Sequence, residues 1–144
     1  MKKAVVTGAN GFVGSYLCRK LAQEGVEFYA VVKDIEENID NIRELKGATI
    51  IYCDLSDIES LAEKISDRDI DVFYHFAWIG SAGPLRMDEN VQLQNALWTA
   101  QALRTADKMG CKKFVNAGSI MPRHAGRRSN KYRSLCHRQR LHVS

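Results

Sequence analysis

Three glycines spaced three residues apart, in the stretch TGANGFVGS, are the part of this sequence best suited to bind an anion. They follow KAVVT, whose β-branched residues predict a buried strand, and an amphipathic run begins among them. Gly8 would allow a sharp turn, Gly11 would leave room for a ligand, and Gly14 would let a helix pack closely on the strand. Amides near Phe12 and Val13 would then face outward, where the helix dipole favours a phosphate. The stretch predicts a pyrophosphate-binding loop; the alternative is a close-packed turn without a ligand.

Strand and helix signals alternate from this loop to about residue 118. Apolar, β-branched runs predict five strands, at 3–7, 27–32, 48–53, 71–77 and 112–118. Apolar residues at helical spacing predict four helices, at 11–24, 37–46, 57–66 with Asp57 as its N-cap, and 90–110. Strands joined by helices of this length form right-handed crossovers, so we expect an α/β, doubly wound parallel sheet truncated after about five strands. Ligands of such sheets bind beyond the carboxyl ends of the strands.

Charge is distributed unevenly along the chain. The 144 residues have a formal net charge of +4, but residues 123–144 contain seven Lys and Arg residues and no acidic residue. Residues 1–122 are therefore slightly acidic, and nucleic acid is not an expected partner of the folded part. The four cysteines are far apart and lack metal-site spacing, and no apolar run is long enough to cross a membrane. We expect a cytoplasmic protein with reduced thiols, no bound metal and no membrane partner.

The glycine spacing G-x-x-G-x-x-G, preceded by Thr7, resembles the signature of the extended short-chain dehydrogenase/reductases, the NAD-dependent epimerase/dehydratase family. Four further stretches resemble that family in register: CDLSD at 53–57, YHFAW at 74–78, NALWT at 95–99 and KKFVNAGS at 112–119. The resemblance covers residues 1–121 and implies a Rossmann domain that binds a nicotinamide dinucleotide. Because members of the family mostly act on nucleotide-linked sugars, it also implies an epimerase, dehydratase or reductase reaction.

The same resemblance implies roles for individual residues. Asp54 would meet the adenine amino group and Leu55 the adenine ring, Trp78 stands where the family has a small residue, and Ser119 falls on the catalytic Ser/Thr. The implied cofactor-binding residues are Gly8, Asn10, Gly11, Phe12, Val13, Gly14, Lys33, Asp54, Leu55, Phe76, Ala77, Trp78 and Asn95.

Several of these residues also have a purely structural interpretation. Asp54 would simply cap the following turn, Asn95 would be a solvent-facing helix residue, and Ser119 would belong to a turn. His75, within an apolar strand, is expected to be a packed core residue and not a base.

The residues after the second strand favour NADP over NAD. An acid at this position would accept hydrogen bonds from the adenosine 2′-hydroxyl and repel a 2′-phosphate. The sequence has Val32 there, followed by Lys33, and a lysine can meet a 2′-phosphate as a point charge. Asp34 would restore a hydroxyl contact if the strand ended one residue later.

The catalytic pair that the resemblance implies is incomplete. The family uses a tyrosine base with a lysine four residues later, because a phenol with a pKa of about 10 needs a neighbouring cation to act near neutral pH. The only tyrosine after Ser119 is Tyr132, and Cys136 occupies the lysine position. We therefore expect the dinucleotide-binding half of such an enzyme, inactive as given, with a nucleotide-sugar substrate only in a full-length form. The alternative is a non-catalytic NAD(P)-binding redox sensor.

The basic tail, 122–144, has three interpretations: an RNA-binding arm, a disordered segment, or out-of-frame translation, since the family register ends at Pro122. A sheet that stops after five strands leaves the edge of the fifth uncovered, which predicts self-association as a homodimer.

Overall fold

The sheet is built around a central strand whose side chains are buried on both faces. The computed structural model describes residues 1–118 and the backbone of residues 139–140. Its strands are β1 (Lys3–Thr7), β2 (Glu27–Val32), β3 (Ala48–Tyr52), β4 (Val72–His75), β5 (Lys113–Asn116) and β6 (Gln139–Arg140). They are arranged in the order β3-β2-β1-β4-β5-β6, with the first five parallel and β6 antiparallel to β5.

Two hydrophobic clusters cover the two faces of this sheet. The helices are α1 (Phe12–Gln23), α2 (Leu61–Lys64) and α3 (Glu89–Lys108), with 3₁₀ turns at Leu55–Ser60 and Pro84–Met87. Within β1, Val5 packs into the cluster that contains Ala102 and Ala106 of α3, whereas Val6 packs into the cluster that contains Leu21 of α1. Alternate residues of β1 thus pack into the layers on opposite faces of the sheet. The prediction of a doubly wound α/β fold is confirmed.

The predicted helix at 37–46 is wrong. This segment forms successive turns, although Ile39 and Ile42 are buried as their spacing suggested. The Asp34 carboxylate accepts a hydrogen bond from the Glu36 amide at 3.0 Å, and the Asn38 side chain accepts one from the Asp40 amide at 2.9 Å. Such local bonds give the backbone an alternative to the helix.

The predicted helix at 57–66 is also different. A 3₁₀ turn over Leu55–Ser60 precedes the short α2, and Asp57 marks the kink between its two parts (φ −122°, ψ 26°). Asp54, not Asp57, is the N-cap, since its carboxylate accepts the Ser56 amide at 2.8 Å.

The outer edge of β5 is partly covered. Lys113 and Phe114 pair with Arg140 and Gln139, so the expectation of an uncovered edge is wrong for this half of β5. Among the helices described, none combines the length and the apolar character needed to cross a bilayer.

Candidate functional site

A cavity of about 1150 Å³ opens at the carboxyl ends of the strands. It brings together the loop after β1, the segments after β2 and β3, and the ends of β4 and β5. Of the thirteen predicted cofactor-binding residues, twelve line it: Gly8, Asn10, Gly11, Phe12, Val13, Gly14, Lys33, Asp54, Leu55, Phe76, Ala77 and Trp78. Residues that are separated by up to 70 positions in the sequence therefore share one surface, as the fold class predicts.

The glycine loop is packed so tightly at Gly8 and Gly14 that a larger residue does not fit at either position. Gly8 has φ +65°, and a Cβ there would lie 2.7 Å from the Ala77 nitrogen at the end of β4. A Cβ on Gly14 would overlap the Gly8 carbonyl oxygen, so Gly14 allows α1 to approach the loop. At Gly11 a Cβ would be 3.2 Å from the same oxygen. The roles predicted for Gly8 and Gly14 thus match the geometry.

The first turn of α1 faces the cavity without a capping side chain. Gly11 is the N-cap, its backbone is extended (φ −72°, ψ 176°), and its first turn contains no acidic residue. Phe12 is 95% exposed and Val13 is 54% exposed, so the loop leaves this helix end open. Uncapped amides at a helix N-terminus carry partial positive charge and bind phosphate well. A cradle that a Cβ would fill, at a helix end without an internal acceptor, fits a dinucleotide diphosphate.

A buried threonine fixes the cavity wall that β4 contributes. The Thr7 hydroxyl accepts hydrogen bonds from the amides of Phe76 (3.1 Å) and Ala77 (3.3 Å) and lies 2.9 Å from His75 Nδ1. Because two donors occupy its lone pairs, the hydroxyl donates its proton to Nδ1, and Nε2 carries the imidazole hydrogen.

His75 itself is buried, although it also lines the cavity. It is 3% exposed, and its ring stacks on Phe114 with centroids 6.1 Å apart. Burial lowers the pKa of His75 to about 4, so the side chain is neutral at pH 7. The predicted packing of His75 is confirmed, and the prediction that it does not act as a base stays a prediction.

The segment after β2 is tied to the glycine loop by Asn10. The Asn10 amide donates to Glu37 Oε2 and to the Asn38 carbonyl, both at 3.2 Å, and the Asn41 amide donates to the Asn10 carbonyl at 3.0 Å. Glu37 lines the cavity but was missed by the sequence analysis. The helix wrongly predicted at 37–46 did not suggest that Glu37 lies near Asn10. The turns that this segment forms instead bring the Glu37 carboxylate next to the Asn10 side chain.

Asp54 caps the following turn and also lines the cavity, while its contact with adenine stays a prediction. Its carboxylate caps the following turn through the Ser56 amide (2.8 Å) and the Ser56 hydroxyl (2.9 Å), and it also lines the cavity. The Ser56 amide, assisted by the Ser56 hydroxyl and the charge of Lys33, lowers the pKa of Asp54. Asp54 is therefore ionised at neutral pH and can accept hydrogen bonds from a ligand.

Asn95 is the one cofactor-binding candidate among the described residues that does not line the cavity. It is 1% exposed, so it is not a solvent-facing residue either. Its side-chain oxygen accepts the Ile79 amide at 3.0 Å, and its side-chain nitrogen donates to the Ile79 carbonyl at 2.7 Å. Asn95 therefore positions the loop that follows β4, and Ile79, in contact with it, faces the cavity.

Comparison with known proteins agrees with this geometry. Residues 4–137 match the model of the NAD dependent epimerase/dehydratase family. The chain belongs to this family. The match extends into the basic tail, and the boundary predicted at residue 121 stays a prediction.

Curated epimerases resemble the chain at moderate identity. It is 30% identical over 132 residues to UDP-glucose 4-epimerase of Klebsiella pneumoniae, covering 81% of this chain and 88% of that protein. It is 26% identical over 125 residues to UDP-glucose 4-epimerase of Bacillus subtilis (strain 168), covering 80% of this chain but 36% of that enzyme. A crystal structure of UDP-galactose 4-epimerase aligns with a TM-score of 0.68 at 28% identity, covering 81% of this chain and 38% of the other. The chain thus spans about a third of the length of the Bacillus relative.

The catalytic residues expected for an epimerase/dehydratase lie outside the described part of the chain. Ser119 follows the last described residue before the gap, and Tyr132 and Cys136 lie within the gap. The end of β5 nevertheless lies beside the cavity, because Asn116, Ala117 and Gly118 all line it. Ser119 directly follows these residues in the sequence. The catalytic role of Ser119 stays a prediction.

Proposed function

We propose that the cavity binds a nicotinamide dinucleotide and that the chain is the cofactor-binding half of a nucleotide-sugar epimerase/dehydratase-type oxidoreductase. The observation that carries the proposal is the uncapped start of α1, which faces a cavity lined by twelve independently predicted residues. The names of the relatives support the substrate class, since both curated relatives described above are UDP-glucose 4-epimerases.

Each part of the chain has a separate task in this proposal. The amides at the start of α1 hold the diphosphate, and Asp54 and Leu55 hold the adenine on the β3 side. Phe76, Ala77 and Trp78 contact the nicotinamide half on the β4 side. The cofactor would supply hydride chemistry at the end of β5, where Ser119 would orient a sugar hydroxyl or carbonyl. The chain as given has Cys136 where a lysine would activate the tyrosine, and we propose that it binds dinucleotide without turning over substrate.

The proposed cofactor is NADP in preference to NAD. Lys33 lines the cavity next to Asp54 on the side of β2, where it supplies a positive charge for a 2′-phosphate. Glu37 lines the same region and supplies the opposing charge. The preference between NADP and NAD therefore depends on the opposing charges of Lys33 and Glu37.

Fluorescence titration of the full chain with NADPH and NADH tests the proposal. The sharpest variant is Gly11→Ser, because serine is a preferred N-cap whose hydroxyl would occupy the first-turn amides that the diphosphate needs. We expect the thermal midpoint to stay the same or rise, and affinity for both dinucleotides to fall by about tenfold or more, the value of one charged hydrogen bond. Unchanged affinity in Gly11→Ser would mean that the helix end is not the site.

A non-catalytic redox sensor is the second candidate, and Cys136 at the lysine position favours it. A sensor would bind dinucleotide tightly in this chain without further residues, whereas an enzyme half would gain turnover when the missing part is supplied. A homodimer also stays a proposal. It was predicted from the uncovered outer edge of β5, and β6 covers part of that edge.

A further inference from the structure

The loop between β4 and α3 is held in place by two amide side chains of α3. Asn95 pairs with both backbone groups of Ile79. One turn earlier, the Gln92 oxygen accepts the Trp78 indole N–H at 3.0 Å, and the Gln92 nitrogen donates to the Leu85 carbonyl at 3.1 Å. The beginning and the end of the loop are thus fixed to the same helix face.

This loop presents an arginine to the cavity. Arg86 belongs to the 3₁₀ turn Pro84–Met87, and its amide donates to the Gly83 carbonyl at 3.2 Å. The next turn is fixed by Asp88, which caps α3 by accepting the Asn90 and Val91 amides at 3.0 and 3.1 Å. Arg86 lines the same cavity as the glycine loop. The turn fixes the backbone of Arg86, while its exposed side chain leaves the guanidinium available to an anion.

Arg86 differs from the other arginines within residues 1–118. Arg43 and Arg104 pair with Asp40 and Glu59, and Arg68 donates to backbone carbonyls. In this part of the chain no carboxylate lies within 4.0 Å of the Arg86 guanidinium, and no hydrogen-bond acceptor is in reach of it. Arg19 also lacks an ion pair there, but it does not line the cavity.

The position of Arg86 separates it from the other charges of the cavity. Lys33, Glu37 and Asp54 follow β2 and β3, whereas Arg86 follows β4, and β1 lies between the two sides. An adenosine 2′-phosphate at Lys33 would therefore lie on the opposite side of β1 from Arg86. The α1 amides lie at the end of β1, between the two sides, and would hold the dinucleotide diphosphate.

We propose that Arg86 is a second anion-binding point, which holds a phosphate group of the substrate beside the nicotinamide end of the cavity. The inference rests on the proposed function, because it assigns the substrate side of the same site. A guanidinium can donate two parallel hydrogen bonds to one phosphate, a geometry that a lysine cannot reproduce. Trp78, held by Gln92 in the same wall, adds an aromatic surface next to it.

The test uses the full chain and two phosphate probes, inorganic pyrophosphate and UDP, each titrated by calorimetry with and without saturating NADPH. The variants are Arg86→Gln and Arg86→Lys, with Arg104→Gln as the matched control, since Arg104 is exposed and outside the cavity. When NADPH occupies the α1 amides, we expect Arg86→Gln to weaken both probes by about tenfold, Arg86→Lys to weaken them less, and Arg104→Gln to leave them unchanged. NADPH affinity should stay within about twofold of wild type in every variant.

Each of the other outcomes contradicts either the role inferred for Arg86 or the proposed function. If pyrophosphate and UDP bind equally well to Arg86→Gln and wild type, or bind to neither, the inference is wrong. If Arg86→Gln weakens NADPH as strongly as the probes, Arg86 belongs to the dinucleotide site, and the inference is again wrong. Failure of wild type to bind any dinucleotide overturns the proposed function, while the titrations without NADPH still decide the role of Arg86. A loss seen with UDP alone would show recognition of the base and would contradict a phosphate ligand.

Discussion

The sheet has an amino-terminal edge, where the parallel strands begin, and a carboxyl-terminal edge, where they end. The two edges differ in how their charged and polar groups are paired. At the amino-terminal edge, charged groups are paired within the chain: Lys3 Nζ lies 2.8 Å from Asp67, and the Tyr29 hydroxyl donates to Asp67 at 2.5 Å. Asp71 accepts the backbone amides of Lys2 and Lys3 at 2.7 and 3.1 Å. At the carboxyl-terminal edge, the α1 amides and Arg86 have no such partners within the described residues. The comparison indicates that the paired groups of the amino-terminal edge stabilise the fold. The unpaired donors of the carboxyl-terminal edge are available to a ligand.

The pKa shifts follow the same division. Hydrogen bonds from Lys112 and from the amides of Lys2 and Lys3 lower the pKa of Asp71, and the bond to Asp67 raises the pKa of Lys3. Both shifts favour the charged forms that the pairs need. At the other edge, burial lowers the pKa of His75 to about 4 and keeps it neutral. Paired charges therefore stabilise the amino-terminal edge, whereas His75 at the carboxyl-terminal edge is buried in its neutral form.

Removing the Thr7 hydroxyl should have the largest effect, because it breaks the wall of the open edge. Thr7→Val keeps the shape but leaves two groups without a partner, the Ala77 amide and His75 Nδ1, while the Phe76 amide keeps its bond to the Thr7 backbone carbonyl at 3.2 Å. We expect a loss of about 2–3 kcal/mol in the free energy of unfolding, measured by urea denaturation, together with weaker dinucleotide binding. Thr7→Ser should recover most of both.

Thr105→Val is the matched control for this loss. Thr105 is also buried, but its hydroxyl only donates to the Gln101 carbonyl within α3. A loss as large as that of Thr7→Val would show that the effect comes from burial of any threonine and not from the cavity wall.

Acid should weaken the two edges in different pH ranges. The pKa of His75 is 6.5 ordinarily and about 4 when folded, so its contribution is complete above pH 6.5 and is lost as the pH falls toward 4. The pKa of Asp71 lies below its ordinary value of 3.8, so its contribution is complete above that value and is lost only below it. Urea denaturation at a series of pH values should show both ranges.

Asp71→Asn sharpens this distinction. We expect it to lower stability at pH 7 by about 1 kcal/mol, since the pair with Lys112 is partly exposed and screened by solvent. It should reduce the loss of stability below pH 3.8, of which Asp54 and Asp67 supply the remainder, and leave the range between 4 and 6.5 and the NADPH affinity unchanged. Asp69→Asn, at a 77% exposed carboxylate, is the control with a smaller effect. A change of dinucleotide affinity in Asp71→Asn would contradict the independence of the two edges.

Features set by local patterns were predictable from the sequence. The apolar runs located all five parallel strands because β-branched residues covered on both faces carry their own signal. The glycine loop was predictable because its strand, turn and helix are adjacent in the chain, and Gly8 has the positive φ that its spacing suggested.

Features set by contacts across the fold were not predictable in the same way. The partner of Asn95 is the backbone of Ile79, sixteen residues earlier, and no periodicity encodes that pairing. Leu97 is an apolar residue at helical spacing within the predicted helix 90–110, yet it is 49% exposed. Periodicity shows which residues share a helix face, but only the packing decides which face is covered.

The balance between Lys33 and Glu37 should give the smallest effect, because both charges lie at the rim of the open edge. We expect wild type to bind NADPH more tightly than NADH, and Lys33→Gln to reduce the ratio of their affinities by about two- to fivefold, the value of one exposed charge pair. Lys20→Gln, on the exposed face of α1 and paired with Glu24, should leave the ratio unchanged. Raising the salt concentration should shrink the wild-type preference as the charge is screened.

Glu37→Gln tests the opposing side chain of the same pair. Removing its carboxylate takes a negative charge away from the region of the 2′-phosphate, so NADPH affinity should rise while NADH affinity stays level or falls. Tighter binding of NADH than NADPH by wild type would contradict the preference assigned to Lys33. In that case Glu37, fixed by the Asn10 amide at 3.2 Å, would be the residue that selects the 2′-hydroxyl, and Glu37→Gln would lower NADH affinity most.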